Sequence, residues 1–341
     1  MSKARNIAAL STVEVGATAD QTKADLNAIG VSGGRKNLII NGGFDVWQRG
    51  TSFASVNGLT ADRWRIAESG GSLTTTREAF TQGQTEVPNN PTYYLKASVT
   101  TGDNNCSVRQ HIEDVTHTSG ETVTVSFWAK GTNPAGGSLE WTMMQRFGSG
   151  GSGNVSVTTS FTITSSWVKY THSFSLASVS GKTIGAGSSL ELLINQPAGD
   201  TSTTAWELNM ANVQVEKGSV ATDFEHRSYG EELALCQRYY WKDTHNGMVL
   251  TATAANRVIG CIYFPVTMRT PPTIVAEVPT RITQFSVVDK VLAGGLAETS
   301  QITPNRADVM FSSFSSGSLD VDNSYISNTA GGKYITANAE L

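Results

Sequence analysis

From Lys36 to Gly50 the chain reads Lys-Asn-Leu-Ile-Ile-Asn-Gly-Gly-Phe-Asp-Val-Trp-Gln-Arg-Gly, and this stretch constrains the fold most. Leu38 to Ile40 form a short apolar strand that runs directly into Asn41-Gly42-Gly43, and an aromatic pair, Phe44 and Trp47, follows at once. Asn-Gly and Gly-Gly allow positive φ, so the pattern predicts a sharp turn after the strand.

Strand-and-turn patterning continues from about residue 36 to 226. In Glu121–Lys130, Val123, Val125, Phe127 and Ala129 fall on one face, with Thr122, Thr124, Ser126 and Trp128 on the other. Val168, Tyr170, His172, Phe174 and Leu176 mark a second alternating strand, and Leu190, Leu192 and Ile194 a third. Between Trp206 and Val215 the apolar parity switches, which predicts a β-bulge near Ala211-Asn212. The composition agrees. Gly, Ser and Thr abound, only 16% of residues are charged, and Val, Thr and aromatics recur in short runs.

The first 35 residues differ. Thr18-Ala-Asp-Gln21 fits a capping box and Gly30 fits a helix end, so a short helix is expected between them, marginal without a partner. Val31–Gly34 reads as a flexible linker. Ser228-Tyr-Gly-Glu231 is a second capping box and predicts a helix to about Trp241, a bridge between two β-rich parts. The remainder returns to strands, and Ile335, Ala337, Ala339 and Leu341 alternate to the end of the sequence. The expected segments are therefore 1–35, 36–227, 228–242 and 243–341.

The chemistry is restrictive. A net charge of −4 without a basic stripe argues against nucleic acid as a partner. No apolar run is long enough to insert into a membrane. Cys106, Cys236 and Cys261 are odd in number and widely spaced, which points to synthesis in a reducing cytoplasm without a disulfide framework. Gly30-Val-Ser-Gly-Gly34 matches a nucleophile-elbow pattern, but a helix precedes it and a strand follows, the reverse of what that elbow needs. Asp320-Val-Asp-Asn-Ser324 opens like a calcium loop, yet Tyr325 and Gly331 stand where the loop needs Gly and Glu. His111, His117, His172, His226 and His245 show no paired metal spacing. The reading is a non-enzyme without a required cofactor.

Binding remains. Six tryptophans, Trp47, Trp64, Trp128, Trp141, Trp167 and Trp206, lie mostly on strand-like segments, where core packing accounts for them. Tyr93 and Tyr94 follow Pro88-Asn-Asn-Pro91 and are expected at a loop edge, where rings can stack on sugar faces. Asp320, Asp322, Asn323 and Tyr325 are expected to form a polar distal loop bearing one aromatic, a second candidate for glycan contact.

The order "NLIINGGFDVWQRG", "ADRW" and "VQVEKGSVATDFEHRSYGEELALCQRYYW" resembles bacteriophage tail-fibre proteins that carry a carbohydrate-binding-module-like jelly roll. "MSKARNIA" resembles the start of such fibres, and "CQRYYW…FPVTMRTPPT…ANAEL" their C-terminal domains. The resemblance implies an all-β protein with a short helical N-terminal anchor, a central jelly-roll β-sandwich, a bridging helix and a C-terminal β-sandwich. It implies a homotrimeric fibre, made in the host cytoplasm and carried on the virion's tail. Lys3, Arg5, Ile7 and Leu10 would dock it to a virion protein, and distal loops would bind host surface polysaccharide. It also implies a structural calcium, for which Asn41, Asp45, Asn209 and Asn212 occupy the matching segments without the usual acidic ligand near the domain's end. Two alternatives stay open: a structural virion protein of the head or tail, and a polysaccharide depolymerase, for which Glu86 and Asp103 are one conceivable carboxylate pair.

Overall fold

The structure, a computed structural model, describes residues 35–68, 72–101, 106–135, 137–197, 205–244, 248–276, 281–284, 289–291, 296–312, 319, 324–328 and 334–341. The chain divides into two compact units, Met1–Lys36 and Asn37–Leu341. The expected N-terminal helix, the linker and the anchoring residues Lys3, Arg5, Ile7 and Leu10 lie outside the described residues.

Among the described residues, twelve strands build the first part of the second unit. They are β1 (Ser52–Ala54), β2 (Gly58–Leu59), β3 (Arg65–Ala67), β4 (Ser72–Ala79), β5 (Tyr93–Thr101) and β6 (Ser107–Glu113), then β7 (Thr122–Thr132), β8 (Leu139–Arg146), β9 (Val155–Phe161), β10 (Val168–Ser175), β11 (Ser189–Asn195) and β12 (Trp206–Lys217). The first sheet runs β1-β4-β5-β12-β7-β10 and the second β2-β3-β6-β11-β8-β9, with antiparallel pairing throughout. Alternation decides which face is inside. Val123, Val125 and Phe127 of β7 join Trp141, Met143, Leu190, Leu192 and Ile194 of the second sheet in one buried cluster, so the sheets pack face to face. Phe127 meets Trp141 across the layers, ring centroids 5.1 Å apart and edge to face.

The opening turn is held from every side. Asn41 Oδ1 accepts from Val46 N at 3.0 Å, and its amide donates to the carbonyls of Val46 (2.8 Å) and Asp62 (3.1 Å). Trp64 Nε1 donates to Asn41 O at 2.9 Å. The left-handed residues are Asn41 and Phe44, each at φ 58°, and neither glycine of the turn is among them. Gly42 serves close approach instead: its carbonyl accepts from Val213 N at 2.9 Å, and a Cβ there would sit 2.1 Å from Val213 O. The bulge falls where the parity switch puts it. The β12–β7 register shifts between Ala211 and Gln214, with Asn212 at φ 51°.

Ser228 caps the helix α1 (Tyr229–Gln237), its side chain accepting from Glu231 N at 3.3 Å. The helix is shorter than its sequence pattern, because Tyr240 already pairs with Asn338 in a strand. Ten strands follow. They are β13 (Tyr240–Thr244), β14 (Val249–Ala254), β15 (Arg257–Tyr263), β16 (Thr273–Ala276), β17 (Arg281–Gln284), β18 (Asp289–Val291), β19 (Leu296–Ser300), β20 (Arg306–Ser312), β21 (Ser324–Asn328) and β22 (Tyr334–Asn338). They form a three-stranded sheet, β13-β22-β16, and a seven-stranded sheet, β18-β17-β21-β14-β15-β20-β19. Trp241, Ile274 and Ile335 of the small sheet share a core with Leu250, Val258, Val309 and Phe311 of the large one. The last strand lies in the middle of its sheet and stops at Asn338, short of the alternating pattern that runs to Leu341.

Buried ions join the first sandwich to this second part. Arg49 pairs with Asp62 at 3.0 Å and with Glu340 at 3.3 Å, while Arg63 pairs with Glu340 and donates to His111 O at 2.6 Å. The two guanidiniums stack on Tyr240 and Tyr239, 3.5 and 3.4 Å from the ring centres. Burial pushes the Asp62 carboxyl up to about 6, against the charge of Arg49 and the hydrogen bond from Gln48. The folded state therefore holds the proton more tightly than the unfolded chain, whose carboxyl titrates near 3.8. Stability from this group is full below the unfolded value and is lost as pH rises toward 6. The loss is up to about 3 kcal/mol for a shift of roughly two pH units. Urea unfolding at pH 4.5, 5.5 and 6.5 is expected to show that decline in the wild type and a flatter profile in Asp62→Asn. Parallel profiles would remove Asp62 as its source.

Candidate functional site

The outer face of the second sheet carries a dense arrangement of charge. Cross-strand register sets it in rows. Glu113, Ser189 and Arg146 form one row, and His111, Glu191, Met144 and Ser156 the next. Arg65, Arg109, Leu193, Thr142 and Thr158 form a third, and Ser107, Asn195, Glu140 and Ser160 a fourth. Glu191 lies in the middle strand β11, so His111 stands opposite it and Arg109 and Arg146 lie on its diagonals.

Glu191 is fully withdrawn from solvent although it points away from the core. Arg146 grips its Oε2 from Nε at 2.7 Å and from a terminal nitrogen at 2.6 Å. His111 Nε2 lies 3.3 Å and an Arg109 nitrogen 3.6 Å from Oε1. Burial alone would push the Glu191 carboxyl up. The hydrogen bond and charge of His111, with Arg146 and Arg109, outweigh burial and hold it below the usual carboxylate range. The Arg109 guanidinium is drawn down by burial, and Arg146 and Arg65 add to that against Glu191. Ser189 Oγ lies 2.9 Å from the other ring nitrogen of His111, and Ser107 Oγ accepts from Arg109 at 2.6 Å.

Across the four rows three arginines stand against three glutamates, Glu113, Glu140 and Glu191. Cations still stand where a ligand can reach them: Arg65 is exposed, and Arg146, Arg109 and His111 keep part of their surface open. Glu191 Oε1 and Arg109 Nε are buried, and neither has a hydrogen-bond partner of normal geometry among the described residues. No Phe, Tyr or Trp stands in these four rows, so the face can bind by directed hydrogen bonds and charge rather than by stacking on a large ring.

The sequence candidates fall elsewhere. Tyr325 is not a surface ring: it lies in β21, 1% exposed and packed in the C-terminal core, because it shares its sheet's inner face with Leu250. Asp320, Asp322 and Asn323 lie outside the described residues. Tyr93 and Tyr94 open strand β5 rather than edge a loop. Tyr94 is half-buried against Phe80 and Trp167, at 4.8 and 5.3 Å, in a small cluster with Trp128 on the first sheet's outer face. Tyr93 lies under the Arg77 guanidinium, 4.4 Å from the ring centre. Of the calcium candidates, Asn41 spends its side chain on the opening turn, and Asn209 donates to Lys130 O (3.3 Å) and Glu207 (2.8 Å). Among the described residues no three His, Cys, Asp or Glu side chains gather closely enough to hold a metal. The Glu191 face escapes a reading of the sequence because its members come from separate strands. Inside Leu190-Glu-Leu-Leu-Ile194, Glu191 looks like an ordinary outward residue.

The central sandwich is a jelly roll of the carbohydrate-binding-module kind. Residues 36–185, under half of the chain, match the family model of a carbohydrate binding domain. No curated protein sequence matches the chain. Similar solved structures include a candidate sugar-binding protein from Bacteroides thetaiotaomicron, 14% identical with a TM-score of 0.35, covering 54% of this chain and 100% of that one. The cellulose-binding domain of Cellulomonas fimi β-1,4-glucanase C is 16% identical with a TM-score of 0.31, covering 50% and 97%. The enzymatically active domain of bacteriophage CBA120 tailspike protein 4 is 13% identical with a TM-score of 0.33, covering 53% of this chain but 21% of its own.

Proposed function

We propose that the sandwich binds an acidic glycan across the outer face of the second sheet, around Arg65, Arg109, His111, Arg146 and Glu191. The observation that carries the reading is the carbohydrate binding domain match, which spans the strands that supply all of these cations. The accessible guanidiniums, exposed Arg65 foremost, supply the acidic preference, since guanidinium forks pair with carboxylates in two-point geometry. Glu191 acts as a positioning residue that holds the guanidiniums in place.

We further propose that the chain is a non-enzymatic tail fibre of a phage virion and that its ligand is host surface polysaccharide. This rests on the likeness of "MSKARNIA" and of the C-terminal layout to such fibres. In this reading residues 1–35 dock to the virion through Lys3, Arg5, Ile7 and Leu10, and the fibre is a homotrimer.

Affinity electrophoresis of the full chain in gels containing polygalacturonate, alginate or neutral dextran tests the glycan reading. Retardation is expected in the two polyuronate gels, weakening with added salt. Arg65→Ala and Arg146→Ala should each weaken it by about tenfold or more, the scale of one charge-assisted hydrogen bond. Arg65 is exposed and outside the Glu191 contacts, so its change leaves the fold intact. Equal retardation in dextran, or none in any gel, would overturn the acidic-glycan assignment.

A further inference from the structure

A second concavity lies away from the Glu191 face, where the ends of β4 and β5 meet the segment leading into α1. It encloses about 430 Å³ and is bordered by Asp45, Arg77, Thr92, Tyr93, His226 and Tyr229. That volume is within the range of about 300–1,000 Å³ typical of small-molecule pockets. Its floor is rigid: Arg227, buried beneath, donates to the carbonyls of Ile39 (3.0 Å) and Asn37 (2.5 Å) and pairs with Glu232 at 3.4 Å.

The lining is unlike a structural polar cluster. Among the described residues neither the Asp45 carboxylate nor the Arg77 guanidinium makes a side-chain hydrogen bond or ion pair, although each feels the other's charge. Arg77 is held flat over Tyr93, so its ring contact is fixed while its N–H edges stay available. Tyr229 keeps 60% of its surface exposed beside this pocket, in the first turn of the helix. Burial pushes the Asp45 carboxyl up, with His226 and Arg77 opposing. A desolvated acceptor, a fixed donor and two tyrosine rings form the set that grips a pyranose, the carboxylate and guanidinium taking neighbouring hydroxyls and a ring taking the apolar C–H face. Arg77 and His226 beside the only carboxylate of the lining make the pocket a poor cation site.

We propose that this pocket is a second saccharide site, which takes a neutral hexose unit with Asp45 and Arg77 on vicinal hydroxyls and Tyr229 as the outer stacking wall. It is independent of the acidic-glycan face, because it shares no residue with that face.

The test is saturation-transfer NMR on the full chain with glucose, galactose, mannose and N-acetylglucosamine, each at 10 mM on the order of weak single-sugar affinities. At least one of the four is expected to receive saturation, strongest at its ring C–H protons. Tyr229→Ala, at an exposed position, should weaken binding at least tenfold without moving the melting temperature. Asp45→Asn should weaken it as well, the change carrying no risk of an emptied core. No transfer to any of the four, or full transfer in both variants, would overturn the proposal. The hexose readout does not pass through Arg65 or Arg146, so its failure and that of polyuronate retardation are separate results.

Discussion

Arg63→Met is expected to cost about 3–5 kcal/mol of stability, the scale of stripping a buried ion of its partner. Arg63 is 3% exposed and serves three groups at once: Glu340, His111 O and the Tyr239 ring. The substitution keeps the bulk over Tyr239 but leaves Glu340 buried with Arg49 alone, at 3.3 Å. Burial, with the charge and hydrogen bond of Glu113, pushes the Tyr239 hydroxyl up to about 12 against the charges of Arg63 and Arg238. Urea unfolding at neutral pH measures the loss. The double variant Arg63→Met with Glu340→Gln should recover part of it, because the stranded charge is gone. A loss below about 1 kcal/mol would mean that water reaches Glu340 and that the junction is a surface contact.

The second large effect is expected at Gly42. A Cβ on Gly42 would meet the carbonyl oxygen of Val213 at 2.1 Å, a backbone atom of β12 that cannot swing away. The same two residues are tied by the Val213 N–Gly42 O hydrogen bond, so relief of the clash breaks that bond as well. Gly42→Ala should therefore cost more than about 3 kcal/mol, beyond the usual range for overpacking. Gly43→Ala is the control. Its Cβ would meet the tip of the Asp45 side chain at 3.0 Å, which can rotate, and the expected loss is about 1 kcal/mol or less. Similar melting temperatures for the two variants would contradict this account of the opening turn.

Gly42 also separates what is legible in a sequence from what is not. Two glycines after an apolar run announce a turn, and the turn is there, although Leu38–Ile40 before it is not a strand: Leu38 N donates to Val215 O of β12 at 2.8 Å without forming a ladder. The reason differs: positive φ belongs to Asn41 and Phe44, while Gly42 is required by a chain that arrives some 170 residues later in sequence. Tyr325 teaches the converse. Among Asp, Asn and Ser it reads as a loop ring, but pairing with Leu250 in β14 turns it into the core. Tyr93 is visible as a candidate from the Pro88-Asn-Asn-Pro91 turn that precedes it. Its partners Arg77 and Tyr229 are not, because neither has any local relation to it.

The sequence by itself determined the all-β architecture, the inward faces of β7, β10 and β11, the bulge after Ala211 and the Ser228 cap. Each of these is a local rule: alternation with period two, a break in that alternation, and a side chain that reaches a backbone N–H three residues on. Tertiary structure alone decided where charge and concavity gather. Register between β6, β11 and β8 brings Arg109, His111 and Arg146 around Glu191, and the meeting of β4, β5 and the approach to α1 opens the Asp45 pocket. Strand pairing is set by the burial of whole faces, and no residue within either site encodes its neighbours.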